Sequence, residues 1–515
     1  MTDYMDKNQL KKNIEVGFLA FLLVLGIYYI FLASGTQLLG EDETEYYTTA
    51  QNFAQGVYTP TRPNGEPFII SIFISLATTP FFLVFGPSLG LMKAVVALFG
   101  VLTLFIVFLI GKKINLYYGI FASCLLLSIS TFTHFMMMAY TEIPIAFFAS
   151  LLIYCFLDLN TNKKAILTGA ILSLAFYTKT SALILVAVPL LYGLFLLVYE
   201  KNRNYIKFAV IAVFMFLLLI MPLAIRNILL FGYPFIEGLN IFFGGPPASM
   251  QWPGWMSEAF KTVSSVNPGL QTYVSTFGWL AFALAVFGSV WAATKIKEPG
   301  NERDVLLITL LMVGVFIIVF NMVYMWGGLP LESRYLSIIF PALALIGGFF
   351  LWKMSEWKKW SAAIIILILA FSVFTSISTA VTTHDSQRYP ADYISALRWI
   401  KSNTPSDAFI FTTYGGSLKY FGERNNIWAF EMHDAGYQFP EVMTTSNGDE
   451  ISSTLKHYNI TYILIWRNTV AQNYIIPQSN LWGVFTSNFV SVVANDQNHF
   501  EQVFSNTNNW VFKLK

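Results

Sequence analysis

Long apolar runs separated by short polar segments dominate residues 1–380 of the chain. A helix needs about 20 mostly apolar residues to cross the hydrocarbon core of a bilayer. The first run is long and no small-residue cleavage site follows it, so we expect a spanning helix there rather than a cleaved signal peptide. The whole pattern predicts eleven membrane-spanning helices, at residues 17–35, 92–111, 117–138, 143–158, 165–178, 181–199, 208–225, 273–294, 305–325, 335–352 and 361–379.

The composition excludes a water-soluble enzyme. Hydrophobic residues make up 56% of the 515 residues and charged residues only 12%, whereas a soluble domain has about 25% charged residues. The net charge of +2, without a basic stripe, indicates no nucleic-acid partner. Cys124 and Cys155 both lie inside apolar runs, which argues against a disulfide framework or a zinc site.

Lys and Arg in the short loops predict the orientation, because cytoplasmic loops carry an excess of these residues. Counting alternate sides puts sixteen of them on one face, which we interpret as cytoplasmic: Lys7, Lys11, Lys12, Lys112, Lys113, Lys163, Lys164, Lys201, Arg203, Lys207, Lys295, Lys297, Arg303, Lys353, Lys358 and Lys359. The other face has six: Arg62, Lys93, Lys179, Arg226, Lys261 and Arg334. We therefore expect a multi-pass plasma-membrane protein with a cytoplasmic N-terminus and with loops 36–91 and 226–272 outside.

Residues 68–86 form a further apolar run that we do not count as a span. If this run crossed the bilayer, Lys112 and Lys113 would move to the outer face and the asymmetry of positive charge would collapse. We expect instead a helix that lies at the outer surface or dips partway into the membrane, interrupted at Thr79-Pro80.

The tail, residues 381–515, differs from the rest of the chain. It holds 11 acidic and 9 basic residues, about a third of all the charge, so we expect it to be exposed to water. Helical spacing at 391–401 and 452–457 alternates with strand-like runs at 408–412 and 462–466. The predicted fold is thus a polytopic α-helical membrane domain, 1–380, followed by an extracytoplasmic α/β domain, 381–515.

The densest group of ionisable residues at the outer face is Glu41-Asp42-Glu43-Thr44-Glu45, directly after the first span. It is either a solvated loop, an orientation signal or a functional site. Tyr46, Ala50 and Phe53 follow at helical spacing, which places Asp42 and Glu43 at a helix N-terminus, where the dipole favours ionised carboxylates. A fixed, ionised Asp that faces outward is what a general base requires.

These residues open a series of motifs that resembles the GT-C glycosyltransferases, and most closely the protein O-mannosyltransferases and lipid A aminoarabinose transferases of glycosyltransferase family 39. The resemblance covers roughly residues 15–350 and part of the tail. Its six motifs, in chain order, are Asp42-Glu43-Thr44-Glu45-Tyr46 with Arg62-Pro63-Asn64-Gly65-Glu66-Pro67, Thr141-Glu142-Ile143-Pro144, Leu174-Ala175-Phe176-Tyr177-Thr178-Lys179, Pro222 with Arg226-Asn227 and Phe231-Gly232-Tyr233-Pro234-Phe235, Arg334-Tyr335-Leu336 with Pro341-Ala342-Leu343, and 455–465 in the tail.

The resemblance implies an inverting glycosyltransferase that moves a sugar from a polyprenyl-phosphate carrier to a hydroxyl acceptor at the outer membrane face. Asp42 would be the base, Glu43 would position the acceptor or adjust the site, and Glu142 would be a second carboxylate. The acceptor would be a protein, a glycolipid or a cell-wall polymer. The cations implied for the carrier phosphate are Lys179, Arg226 and Arg334, and further sugar or acceptor contacts fall on Tyr46, Arg62, Glu66, His134 and Tyr335.

Each of these assignments has a structural alternative. Arg226 and Arg334 are placed where snorkelling anchors are ordinary, Lys179 is at a turn, and His134 is equally consistent with an interfacial packing role. Lys93, which resembles an Arg of the family, is expected to be structural. The chain also departs from the family at 68–73, where a phosphate-binding Lys or His with a proline pair is replaced by apolar residues.

Alternatives concern a divalent cation at the site and the function of the protein. Asp42, Glu43 and Glu142 are able to supply oxygen ligands to a divalent cation, although we favour a mechanism that requires no metal. The competing functions are a flippase or transporter of lipid-linked sugars and an inactive GT-C scaffold protein. A transporter would place charged pairs near the bilayer midplane, whereas the charges here gather at one face.

Overall fold

A computed structural model describes fifteen parts of the chain, namely residues 7–37, 41–57, 71–157, 162–201, 204–231, 270–295, 300–327, 333–356, 359–386, 388–412, 417–428, 442, 445–467, 470–471 and 485–515. The membrane region is helical throughout this described part. Its helices are α1 (Lys7–Gly35), α2 (Glu41–Ala54), α3 (Phe73–Phe85), α4 (Leu89–Lys112), α5 (Leu116–Ser128), α6 (Ser130–Met136), α7 (Glu142–Phe156), α8 (Asn162–Thr178), α9 (Ile184–Val198), α10 (Asn204–Phe231), α11 (Leu270–Phe277), α12 (Trp279–Lys295), α13 (Asn301–Gly327), α14 (Phe340–Ser355) and α15 (Lys359–Ser386).

The chain is a multi-pass membrane protein. Within the described ranges, six helical segments are long and apolar enough to span a bilayer, and a seventh is obtained if the bent pair α5–α6 is one span. Three shorter apolar helices, α3, α7 and α12, accompany them. The expected total of eleven spans stays a prediction.

Two expected spans are not continuous helices. The run 117–138 is broken at Ile129, where α5 and α6 meet at 74°. The run 273–294 is broken at Gly278, whose φ of +77° lies in the left-handed region that glycine alone adopts without a Cβ clash. The hydroxyl of Thr131 in α6 donates to the carbonyl of Thr276 in α11 over 2.6 Å, so the two short pieces pack together at one end of the bundle.

The apolar run after the first outer loop forms α3, and the expected interruption at Thr79-Pro80 is wrong. The helix continues through Pro80. Proline has a helical φ and removes only one backbone donor. The Thr79 hydroxyl donates to the carbonyl of Ser75 over 2.7 Å and lies 3.5 Å from the carbonyl of Ala50 in α2. Ser75 in turn donates to the carbonyl of Tyr46 over 2.9 Å and so joins α3 to α2.

The tail is the expected α/β domain. Its helices are α16 (Ala391–Asn403), α17 (Gly448–His457) and α18 (Ser487–Asn495), with a π-helical turn at Leu418–Gly422. Its strands are β1 (Phe409–Thr412), β2 (Asn425–Trp428), β3 (Tyr462–Trp466), β4 (Val470–Ala471), β5 (Phe485–Thr486), β6 (Phe500–Ser505) and β7 (Asn509–Leu514). The four elements predicted from the sequence, at 391–401, 408–412, 452–457 and 462–466, coincide with α16, β1, α17 and β3.

The main sheet of the tail has the order β2-β1-β3-β7-β6. The first three strands are parallel, and β7 pairs antiparallel to both β3 and β6. Strand β3 is buried on both faces, as its uninterrupted apolar sequence predicts. Helix α16 covers one face through Tyr393, Leu397 and Ile400, whereas α17 and α18 cover the other through Leu455 and Phe489.

Close helix packing in the membrane domain depends on glycine, which supplies the first prediction. A Cβ at Gly348 of α14 would lie 2.6 Å from the backbone of Ala122 in α5, whereas a Cβ at Gly314 of α13 would meet nothing within 4 Å. We expect Gly348→Ala to lower the stability of the purified protein in detergent by about 1–3 kcal/mol, the usual effect of overpacking. Gly314→Ala is the matched control and should melt at or slightly above the wild-type temperature, because Ala is the better helix former. Equal melting temperatures for the two variants would contradict the packing.

Candidate active site

Helix α2 places the first two candidate carboxylates. It begins at Glu41, so Asp42 and Glu43 lie in its first turn, as the helical spacing predicted. The positive end of the helix dipole stabilises negative charge at this position. Because consecutive helical residues point about 100° apart, the two side chains face different surroundings.

Asp42 forms an ion pair with Arg334, which lies in the 3-10 helix Ser333–Ile339 just before α14. The distance from Arg334 Nη1 to Asp42 Oδ2 is 2.6 Å. The guanidinium also lies over two tyrosine rings, with its Cζ atom 5.8 Å from the ring centre of Tyr140 and 5.5 Å from that of Tyr335. The structure thus joins two predicted site residues that are 292 positions apart in sequence.

Glu43 points into the bundle instead. Its carboxylate accepts a hydrogen bond from the backbone N–H of Ala139 over 2.6 Å and lies 3.5 Å from the ammonium of Lys93 in α4. Both side chains are almost completely buried. A buried carboxylate of this kind is stabilised only when a cation and hydrogen-bond donors surround it. Glu43 therefore ties α2 to α4 and to the segment between α6 and α7.

Glu142 and Lys179 form the third pair. Glu142 is the first residue of α7 and Lys179 follows the end of α8, and their charged atoms are 3.1 Å apart. The Lys179 ammonium also lies 4.3 Å from the ring centre of Tyr335. Tyr335 is therefore in contact with both cations, Lys179 and Arg334, and holds them on the same side of the site.

The three pairs differ in their access to water. Side-chain exposure is 43% for Asp42 and 25% for Arg334, but 1% or less for Glu43, Lys93 and Glu142. Among these three ion pairs, only Asp42–Arg334 has both partners substantially open to solvent. A ligand can compete for that pair at little cost, since exposed ion pairs contribute only about 0–1 kcal/mol. The two carboxylates buried beside it cannot change partners as easily.

Tyr140 is a site residue that the sequence did not indicate. Its hydroxyl forms no hydrogen bond within the described parts of the chain, and its ring packs at 6.2 Å on that of Phe135. Burial raises the pKa of Tyr140 far above its ordinary value, and nearby negative charge adds to this effect. The contributing carboxylates are those of Glu43, Asp42 and Glu142. The phenol therefore stays protonated and remains a neutral hydrogen-bond donor beside the ion pairs.

The other predicted site residues lie in several places. Tyr46 is buried in α2, and His134 shares a 3.1 Å hydrogen bond with Thr383 of α15. Arg226 lies on α10 and donates to the side chain of its neighbour Asn227 over 3.0 Å. Arg62 and Glu66 lie outside the described residues.

The three carboxylates considered as metal ligands, Asp42, Glu43 and Glu142, do not form a shared site in the described structure. Within the described ranges, no group of three or more His, Cys, Asp or Glu side chains is arranged to share an ion. Asp42, Glu43 and Glu142 each have a basic partner of their own instead. Residues paired in this way do not fit a divalent-cation cage, which needs carboxylates that converge on one point.

Comparison with solved structures agrees with this architecture. A crystal structure of ArnT from Cupriavidus metallidurans bound to undecaprenyl phosphate aligns with a TM-score of 0.63 and 13% identity over 96% of this chain and 98% of that one. The Archaeoglobus fulgidus oligosaccharyltransferase, in complex with Zn and sulfate, aligns with a TM-score of 0.62 and 14% identity over 85% of this chain and 67% of that one. This chain has the GT-C fold. No family model and no curated protein sequence matches it.

The same oligosaccharyltransferase has also been solved with a tethered acceptor peptide containing an NVT sequon, and it aligns over 96% of this chain with a TM-score of 0.62. Both the membrane domain and the tail are thus included in the GT-C alignments. At 13–14% identity the similarity establishes the fold.

The buried Glu43–Lys93 pair supplies a second prediction. Lys93→Met leaves the Glu43 carboxylate buried without its cation, which should destabilise the protein by about 3–5 kcal/mol. The double variant Lys93→Met/Glu43→Gln removes both charges and should recover most of that loss. The measurement is the yield and melting temperature of monodisperse protein in detergent. If the double variant is less stable than Lys93→Met alone, the pair is not what holds this part of α2.

Proposed function

We propose that the protein is an inverting glycosyltransferase that moves a sugar from a polyprenyl-phosphate carrier to a hydroxyl acceptor at the outer membrane face. The observation that carries the proposal is the solvent-open Asp42–Arg334 pair at one end of a GT-C membrane bundle, with Lys179 and Tyr335 beside it. This arrangement provides a base and two cations at the level where a lipid-linked headgroup leaves the bilayer. The cell membrane is the proposed location, with a cytoplasmic N-terminus and an extracytoplasmic tail.

In the proposed reaction, the acceptor hydroxyl oxygen attacks the anomeric carbon from the face opposite the phosphate. Asp42 takes the hydroxyl proton, a new glycosidic bond forms, and the bond from carbon to the phosphate oxygen breaks with its electron pair on the phosphate. General-base catalysis of this kind contributes about 10²- to 10⁴-fold in rate. The configuration at the anomeric carbon is inverted because attack and departure occur on opposite faces.

Arg334 and Lys179 are the proposed ligands of the carrier phosphate. Negative charge develops on the phosphate as it leaves, and cations fixed in advance lower the energy of that step. Arg334 suits this task because a guanidinium binds two phosphate oxygens at once. Because Arg334 pairs with Asp42, a phosphate that takes over this cation would free Asp42 to accept a proton.

The buried carboxylates have supporting roles in this proposal. Glu43 holds α2 in place through Lys93 and the Ala139 amide, and Glu142 holds Lys179. Arg226 lies on α10, which packs on α8, and is a reserve candidate for the phosphate. The proposal includes no metal ion.

Two solved GT-C structures support the substrate classes. The Cupriavidus ArnT structure contains undecaprenyl phosphate, and the Archaeoglobus oligosaccharyltransferase structure contains an acceptor peptide. A polyprenyl-phosphate donor is therefore the class to supply first, with peptide, glycolipid and cell-wall acceptors screened against it. Of the ion pairs that the structure describes, Arg303 with Glu200 joins the start of α13 to the segment after α9. A transporter of charged headgroups would be expected to place charged pairs within its helices, near the bilayer midplane.

Asp42→Asn tests the base. We expect it to lower the sugar transfer rate by about 100-fold or more, while binding of undecaprenyl phosphate, measured with the purified protein in nanodiscs, is retained or strengthened. The strengthening follows because Asn does not compete for Arg334. Glu423→Gln is the matched control, since it removes one negative charge from an exposed ion pair, with Lys401 in the tail, and should transfer at the wild-type rate.

The outcomes separate the competing functions. Transfer by Asp42→Asn at the wild-type rate would eliminate Asp42 as the base. Movement of the lipid-linked sugar across a proteoliposome membrane without transfer would favour a flippase. Binding of the carrier without either activity in the wild-type protein, across all donors and acceptors, would favour a scaffold.

Removal of divalent cations provides a further prediction. Because each of the three carboxylates at the site has a basic partner, we expect EDTA to leave the transfer rate unchanged within about twofold. The measurement is the initial rate before and after dialysis against EDTA, with Mg²⁺, Mn²⁺ and Zn²⁺ added back in turn. Loss of activity that one ion restores would show that the pairs rearrange to bind a metal.

A further inference from the structure

A tyrosine of the tail touches the helix that carries the candidate base. Tyr420 lies in the π-helical turn Leu418–Gly422, and its ring meets that of Tyr47 in α2 edge-on, with centroids 5.1 Å apart. Tyr420 packs against the hydrophobic core of the membrane domain, although it belongs to the tail. The contact therefore joins the two domains next to the site.

Tyr47 is held on two sides. Its ring also packs on Phe82 of α3 at 5.5 Å, so it is enclosed between a membrane helix and the tail. This burial, together with the neighbouring Tyr420, raises the pKa of Tyr47 to about 12. Tyr47 follows Glu43 by four residues, so the two side chains share one face of α2. Asp42 lies five residues before Tyr47, about 7.5 Å along the helix axis.

A second contact joins the start of the tail to the end of α1. His384, near the end of α15, shares a 2.8 Å hydrogen bond with the carbonyl of Leu32 in α1, and Arg388 donates to the same imidazole. A Cβ on Gly35, the last residue of α1, would lie 2.6 Å from the His384 ring. His384, at the start of the tail, therefore contacts the end of α1, and Tyr420 contacts α2, the next helix along the chain.

The proposed phosphate ligands are on other elements. Arg334 belongs to the 3-10 helix before α14 and Lys179 to the end of α8, and neither residue is on α2. A small displacement of α2 would therefore move the base but leave the cations in place. A misplacement of about 1 Å in catalytic geometry costs up to about 100-fold in rate.

Resting on the proposed function, we propose that Tyr420 is a positioning residue of the catalytic site, which holds α2 and Asp42 in register through the ring of Tyr47. Through this contact the tail then acts on the position of α2. The hydroxyl of Tyr420 forms no hydrogen bond within the described ranges, so the ring itself is the group that acts.

The test compares Tyr420→Ala with Tyr420→Phe. Tyr420→Ala removes the ring and should lower kcat by about 10-fold or more, while the affinity for undecaprenyl phosphate stays within twofold of the wild type. Tyr420→Phe keeps the ring and should restore kcat. Trp399→Ala is the matched control, because it removes an aromatic ring that packs on Phe504 within the tail, and it should leave kcat unchanged.

Hydrogen–deuterium exchange provides a readout that needs no activity. We expect the amides of residues 41–54 to exchange faster in Tyr420→Ala than in the wild type, and at the wild-type rate in Tyr420→Phe and Trp399→Ala. Unchanged exchange in Tyr420→Ala overturns the proposal, as does a parallel loss of kcat and carrier affinity, which would indicate general unfolding. If the wild-type protein transfers no sugar, the proposed function fails while the exchange data still decide whether Tyr420 positions α2.

Discussion

Carboxylates withdrawn from water must be neutralised, and this requirement organises the end of the bundle that holds the candidate site. Glu43 is buried against Lys93 and the Ala139 amide, which joins α2 to α4 and to the chain before α7. Glu142 and Lys179 join α7 to the end of α8 in the same way. Removing one partner of such a pair exposes the full desolvation penalty of the other, so the helix ends cannot separate without large cost.

Unlike Glu43 and Glu142, Asp42 is open to solvent, and so is its partner Arg334. Several helices of the membrane domain are also irregular. The chain breaks between α5 and α6 and between α11 and α12, and 3-10 turns precede α9 and α14. Irregular backbone is tolerated at membrane depth only where protein or a cavity surrounds it. At the break between α11 and α12, the carbonyl of Thr276 accepts a hydrogen bond from the hydroxyl of Thr131 in α6.

Sequence reasoning recovered the parts that depend on local pattern. Helix α2 begins where the acidic run and the spacing of Tyr46, Ala50 and Phe53 predicted, and the elements of the tail follow their apolar periodicity. It failed where neighbouring elements decide the backbone: α3 continues through Pro80 while Ser75 joins it to α2, and the break at Ile129 occurs without a proline or a glycine. Tyr140 was missed because an isolated tyrosine between two apolar helices carries no signal of the charges packed around it.

The sequence by itself determined that this is a membrane protein with an exposed α/β tail, because hydropathy and charge distribution act on each segment separately. It also predicted Asp42, Glu142, Lys179 and Arg334 on one face from the alternation of spans, and the structure brings these residues together. Only the tertiary structure decided which carboxylate meets which cation. Pairing depends on distances of a few ångströms between residues up to 292 positions apart, and no local pattern encodes them. That pairing leaves Asp42 open to solvent and buries Glu43 beside it.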